Sequence, residues 1–238
     1  MRSVIMGLAG IALVASFASG CGEDTPEPTI IVSQQVKDFT TGDGLNGVTV
    51  CIHGRSDIEC STTDAAGNYT IEVPADKDLS FSFERSDYWP MLVETHTPAQ
   101  DWDTIDDMNM NSELEVELLL ASSNLSVDSE KGHLLINAFD SADITDASGL
   151  AEVSVTIDGG GGTLGYVAEN ALVETDLTST TFRGASVIIN IDPGVYTVTL
   201  SHPTLTCKPM YAVAGAEPNT FRTTVIPVAV TWLNAYCD

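Results

Sequence analysis

The chain has 238 residues, 34 acidic against 9 basic, and a formal net charge of -25. Nucleic acid and anionic lipid are read through a basic footprint, so this balance excludes both as charge-recognised ligands. The length fits one large domain or two small ones.

Residues 1–20 read as a signal peptide outside the fold. Arg2 is a minimal positive n-region, and the apolar run from Val4 to Phe17 is short for a transmembrane helix. Ala18, Ser19 and Gly20 place small residues before Cys21. Such a site suits ordinary signal peptidase, and it also resembles a bacterial lipoprotein signal, in which the cysteine is lipidated. Cysteine parity favours the second reading. Of five cysteines, four fall in pairs, Cys51 with Cys60 and Cys207 with Cys237, and Cys21 is left over. Residues 21–28 then form the lipidated cysteine and an acidic, proline-containing tether. Gly22 after the anchor suits the outer membrane.

One stretch occurs twice. Asp38 to Gly54 and Asp143 to Gly159 align without a gap at a shift of 105, with 8 of 17 positions identical. That density marks an internal duplication and hence two related domains, 29–121 and 132–238, joined by a polar linker at 122–131. In each copy a glycine-containing loop feeds a strand with alternate apolar residues, Val48, Val50 and Ile52 or Val153, Val155 and Ile157.

In chain order, Thr29 to Val36 is the first expected strand and Gly47 to Gly54 the repeated one. If residues 54–57 form a hairpin loop, Cys51 stands opposite Cys60 within disulfide reach. Asp64 to Asn68 is a turn. Tyr69, Ile71 and Val73, then Leu79, Phe81 and Phe83, alternate with polar residues as half-buried strands. Met91 to Thr97 follows. Glu113 to Leu120 alternates acid with apolar residue and is expected as a strand, so no helix is expected anywhere in the mature chain.

In the second copy, Leu134 to Ala138 is placed at the same shift of 105 from Thr29 to Ser33. An insertion at about 160–181 then interrupts the match. A closing strand is expected from about Val225 to Tyr236, with Pro227 at an edge or bulge.

The first domain resembles the carboxypeptidase regulatory-like family of transthyretin-like (prealbumin-like) Greek-key sandwiches. The residues that carry this are Thr41 to Val50, Thr63 to Ile71, and the corner Asp87 to Pro90. The second domain resembles it as a divergent copy, through the repeat and residues 192–196. The resemblance implies an all-β fold of two tandem sandwiches and a non-catalytic module. A zinc carboxypeptidase site is excluded because His53, His96, His133 and His202 are scattered, whereas zinc catalysis needs clustered ligands around an open position.

Three features are candidates for binding. Tyr88, Trp89 and Trp102 offer aromatic faces for carbohydrate, against the commoner role of packing a sandwich corner. Asp101, Asp103, Asp106 and Asp107 are weak calcium candidates without the glycine-centred spacing of a calcium loop. Gly159 to Gly162 lacks the Lys and helix of a phosphate cradle. The combined expectation is a lipid-anchored envelope protein without cofactor or enzymatic activity. Its expected partner is an envelope protein, with glycan binding or calcium-dependent adhesion as the rivals.

Overall fold

The computed structural model describes residues 27–103, 108–143 and 146–238. Among these residues the fold is all-β apart from one helix. In the first half the strands are β1 (Thr29–Asp38), β2 (Thr49–Ile52), β3 (Ser61–Thr62), β4 (Asn68–Pro74), β5 (Asp78–Glu84), β6 (Met91–His96) and β7 (Met108–Met110), followed by α1 (Glu113–Ser122). The second half has β8 (Gly132–Phe139), β9 (Ser154–Ile157), β10 (Thr163–Val167), β11 (Val173–Glu174), β12 (Ala185–Ile191) and β13 (Gly194–Ser201). It closes with β14 (Cys207–Tyr211), β15 (Val213–Ala214), β16 (Thr220–Val225) and β17 (Val230–Cys237).

Alternation builds the sandwiches. Tyr69, Ile71 and Val73 of β4 face inward between exposed Asn68, Thr70 and Glu72, and Leu79, Phe81 and Phe83 of β5 do the same. In the first half the sheet β4-β1-β7 covers the strands β3-β2-β5-β6; in the second, β9-β13-β16-β15 covers β17-β8-β12-β10-β11. Each half has its own apolar core, one from Ile30 to Met110 and one from Leu134 to Cys237.

The duplication holds in three dimensions. β1 pairs antiparallel with β4 and parallel with β7; β8 pairs antiparallel with β12 and parallel with β17. The loop hydrogen bonds repeat as well. Thr63 Oγ1 donates to the Leu45 carbonyl and accepts from Val48 N–H; Thr180 Oγ1 does the same with Leu150 and Val153. Gly67 and Gly184, both at positive φ, receive N–H bonds from Val36 and Ala138. A Cβ on either glycine would meet that same residue's carbonyl oxygen at 2.3 or 2.2 Å, which only glycine avoids.

These equivalences correct one register. The shift is 105 from Leu45 to Leu150, but Val36 matches Ala138, a shift of 102. Leu134 therefore corresponds to Val32, not Thr29, because the loop before the repeated strand is three residues longer in the second copy.

Two further expectations are overturned. Glu113–Ser122 is a helix, started by a capping box in which Ser112 Oγ accepts from Glu115 N–H and the Glu115 side chain accepts from Ser112 N–H. The acids in its first turn, Glu113 and Glu115, also suit the positive end of the helix dipole. The expected closing strand is two strands, β16 and β17, with Pro227 in the turn between them and Val228 at φ 67°.

The halves share a sheet. β17 lies between β8 and β6, pairing parallel with both, so nine strands run in the order β11-β10-β12-β8-β17-β6-β5-β2-β3, and β14, paired to β17, makes the tenth strand of the sheet. Only Val230, Thr231 and Trp232 pair with β6; beyond them β14 takes the same edge of β17.

Candidate functional site

The seam between the halves holds buried polar groups from both, among them Glu94, His133 and Thr231. On β6, Met91 and Val93 join the first core, while Leu92 and Glu94 point the other way and are also buried. Glu94 is 2% exposed. Its carboxyl accepts from Ser80 Oγ at 3.0 Å, Thr224 N–H at 2.7 Å and Thr224 Oγ1 at 2.7 Å. Asp78 adds a contact to Arg222 at 3.6 Å and another to His96 at 2.8 Å. With Asp78 and Asp76 on either side, the His96 imidazole is held above its ordinary pKa.

At one end of β6, Trp89 stacks on His133, with centroids 4.9 Å apart and planes 19° apart. His133 is wholly buried, and its Nδ1 accepts from Asn190 N–H at 3.2 Å. Burial pushes its pKa down to about 4, so the ring is neutral near pH 7. Beyond the other end of β6, Trp102 stacks on Tyr211 at 6.2 Å and exchanges backbone hydrogen bonds with Ile31 and Ser33 of β1. It borders a cleft of about 420 Å³ with His96, Asp101 and Met210.

Tyr88, Trp89 and Trp102 are therefore not gathered on one plane. Tyr88 turns to Asp38, donating its hydroxyl to Oδ2 at 2.6 Å, with the Arg85 guanidinium 4.8 Å above its ring. That bond raises the Tyr88 pKa to about 12 and lowers that of Asp38.

Of the calcium candidates, Asp101 accepts Ile31 N–H at 2.8 Å, and Asp103 lies beside it along the same cleft. Asp106 and Asp107 fall outside the described residues, as does Cys21. Among the described residues no three His, Cys, Asp or Glu side chains are grouped to hold a metal. Both disulfides are present. Cys51–Cys60 closes the β2–β3 hairpin, and Cys207 stands directly opposite Cys237 in the β14–β17 pair.

A second concavity escaped the reading of the sequence. A groove of about 520 Å³ runs beside β4, between that strand and the disulfide hairpin. Its wall includes Thr70, Ile71 and Glu72 from β4, and Ile58, Glu59 and Cys60 from the hairpin. The available signal was the insertion in the second repeat, which has no counterpart in the first.

No protein-family model matches the chain, and no curated protein matches it in sequence. Among solved structures it is similar to the minor pilin GBS52 of Streptococcus agalactiae, at 10% identity and TM-score 0.30, over 87% of this chain and 95% of that one. The shaft pilin spaA of Lactobacillus rhamnosus GG gives 11% and 0.25, over 89% and 98%. The Bacillus anthracis TIE protein gives 14% and 0.27; the match takes in 88% of this chain but 34% of that protein's chain. Superpositions this loose carry no site or partner of those proteins over to this chain.

Proposed function

We propose that this is a non-catalytic lipoprotein of the bacterial cell envelope, held to the membrane through Cys21 and acting as a structural or protein-interaction module. The two halves, 29–121 and 132–238, are read as carboxypeptidase regulatory-like sandwiches, the second a divergent copy. The observation that carries the reading is the shared sheet. With β17 inserted between β8 and β6, and Glu94 bound across the seam, the sandwiches form one stiff body suited to presenting surfaces. The lipid anchor rests on the small residues before Cys21 and on the pairing of the other four cysteines.

Two measurements test this. Cys21→Ser should move the protein from the detergent to the aqueous phase in Triton X-114 partition; unchanged partition removes the anchor. Photo-cross-linkers at exposed positions on both halves, including Leu118 of α1, should trap a discrete protein partner in whole cells. A saturating hit on a glycan array, with no such adduct, would replace the module reading with a carbohydrate-binding one.

A further inference from the structure

The second repeat shows what fits against the first. β4 and β12 are equivalent strands at a shift of 117, as Gly67 and Gly184 are just before them. β12 is covered on its outer edge by β10, an antiparallel strand supplied by the insertion. Its register is Thr163↔Ile189, Leu164↔Ile188, Gly165↔Val187 and Tyr166↔Ser186. The matching positions on β4 are Glu72, Ile71, Thr70 and Tyr69. Among the described residues no strand pairs with that edge, because β4 ends the order β4-β1-β7.

Backbone parity fixes which groups are free to pair. Val36 N–H donates toward Gly67, while Ser33 N–H donates to Trp102 on the opposite side of β1. Tyr69, Ile71 and Val73 therefore spend their main-chain groups on β1, and Thr70 and Glu72 turn theirs outward. The edge is lightly protected: it runs seven residues with regular pairing, carries one charged side chain, Glu72, and has proline only at its end, Pro74. The groove described above lies along it.

We propose that the outer edge of β4 is a strand-accepting site, which takes an extended, basic segment of a partner protein by antiparallel pairing along Tyr69 to Glu72. This rests on the interaction-module reading and names the class of partner. Main-chain bonds supply the affinity in such pairing, and side-chain pockets the selectivity. The residue opposite Ile71 enters the groove toward Ile58, as Leu164 enters opposite Ile188. Charge selects the rest. In the groove, Asp57 is paired with Arg55 and Glu27 with Lys77, but among the described residues no cation pairs with Glu59 or Glu72. A lysine or arginine opposite Glu72 answers both. A second copy of this chain, at -25, would bring acid to acid and is the poorer occupant.

The probe is a fluorescein-labelled peptide containing Lys-Leu-Gly-Tyr-Lys, which copies the β10 pattern with its first lysine opposite Glu72. It is titrated into the full-length protein by anisotropy, and amide exchange is read in parallel. Expected results are saturable binding, slowed exchange at Thr70 and Glu72, and roughly fivefold weaker binding to Glu72→Lys at low salt. Thr70→Pro removes an outward N–H and should abolish binding. Should that variant fail to fold, the same peptide N-methylated at the first lysine and the glycine tests the same bonds on the unaltered protein. Equal binding of the methylated peptide, protection elsewhere than β4, or no saturation at millimolar peptide overturns the proposal. If these fail while cross-linking still traps a partner, the edge is wrong and the module reading stands. If cross-linking fails as well, the module reading falls with it.

Discussion

Glu94 on β6 and Thr224 on β16, 130 positions apart, form the most tightly bonded polar contact between the two halves. The Thr224 backbone and hydroxyl both donate to the buried Glu94 carboxyl at 2.7 Å. Removing one side strands the other in a dry seam. Glu94→Ala should therefore cost about 3 kcal/mol in urea unfolding, because it leaves Thr224 N–H without a partner. Glu94→Gln should cost less than half as much. Equal losses would show that the acceptor geometry is unimportant.

The paired threonines five residues ahead of β4 and β12 offer a cleaner comparison, since each makes the same two bonds in its own half. Thr63→Val and Thr180→Val should each cost about 2 kcal/mol by stranding the N–H of Val48 or Val153 and freeing a carbonyl. Serine at either site keeps the hydroxyl and should cost well under half of that. Thermal melts of the four variants decide whether the repeats bear equal loads.

Much of this fold was legible because its signals are local. The repeated stretch placed two equivalent strands, and the hairpin register put Cys51 opposite Cys60, as found. Val50 and Val155, the middle apolar residues of the repeats, are both buried. The helix was missed because Glu113 to Leu118 alternates acid and apolar residues in the manner of a half-buried strand. The capping box at Ser112 and Glu115 was the stronger signal, and it wins because the helix need not bury a full face: Leu114 and Leu118 remain solvent-exposed. The shared sheet was not legible at all. Nothing in the composition of β17 states that its first residues will pair with β6, some 140 positions earlier. The β4 edge became visible only once β10 was seen lying on β12.

The disulfides should differ in weight. Cys51 and Cys60 are 9 residues apart and Cys207 and Cys237 are 30 apart. Loop-closure entropy gives about 2.5 and 3.6 kcal/mol. The longer loop also fastens β14 along the edge of β17. Double Cys→Ser replacement in the second pair should thus lower the melting temperature more than in the first. The reverse order would show that β17 is held chiefly by β8 and β6.

Acid should loosen the seam through His133. Its folded pKa, near 4, lies below the ordinary 6.5, so the unfolded chain binds the extra proton. Its share of stability is complete above pH 6.5 and falls away as pH drops toward 4, by up to ~3 kcal/mol. His96 runs the other way, since its pKa is raised: its share is complete below 6.5 and is lost as pH rises through the folded value. His96 is more than half exposed, so that share is small. Urea titrations between pH 4 and 7 should therefore give stability rising with pH, and His133→Phe should flatten the slope while lowering the plateau. An unchanged slope would assign the acid sensitivity elsewhere.

The two cores invite the expectation that each half folds alone, and the seam modifies it. The first half contains a complete apolar cluster, so residues 29–121 should fold as a fragment. Tyr211, Val230 and Trp232 of the second half nevertheless pack against that cluster, and β17 supplies β6 with its outer neighbour. The fragment would expose Leu92 and leave Glu94 without Thr224. It should melt cooperatively, but roughly 10 °C below the matching transition of the whole protein, as loss of about 2 kcal/mol implies for a domain of this size. Amide exchange at Leu92 to Glu94 should rise most. In the whole protein, Val155→Asp places a charge in the second core and should unfold that half, bringing the first half down to the fragment's melting temperature. If the fragment melts where the whole protein does, β17 contributes nothing to β6 and the two sandwiches are merely adjacent.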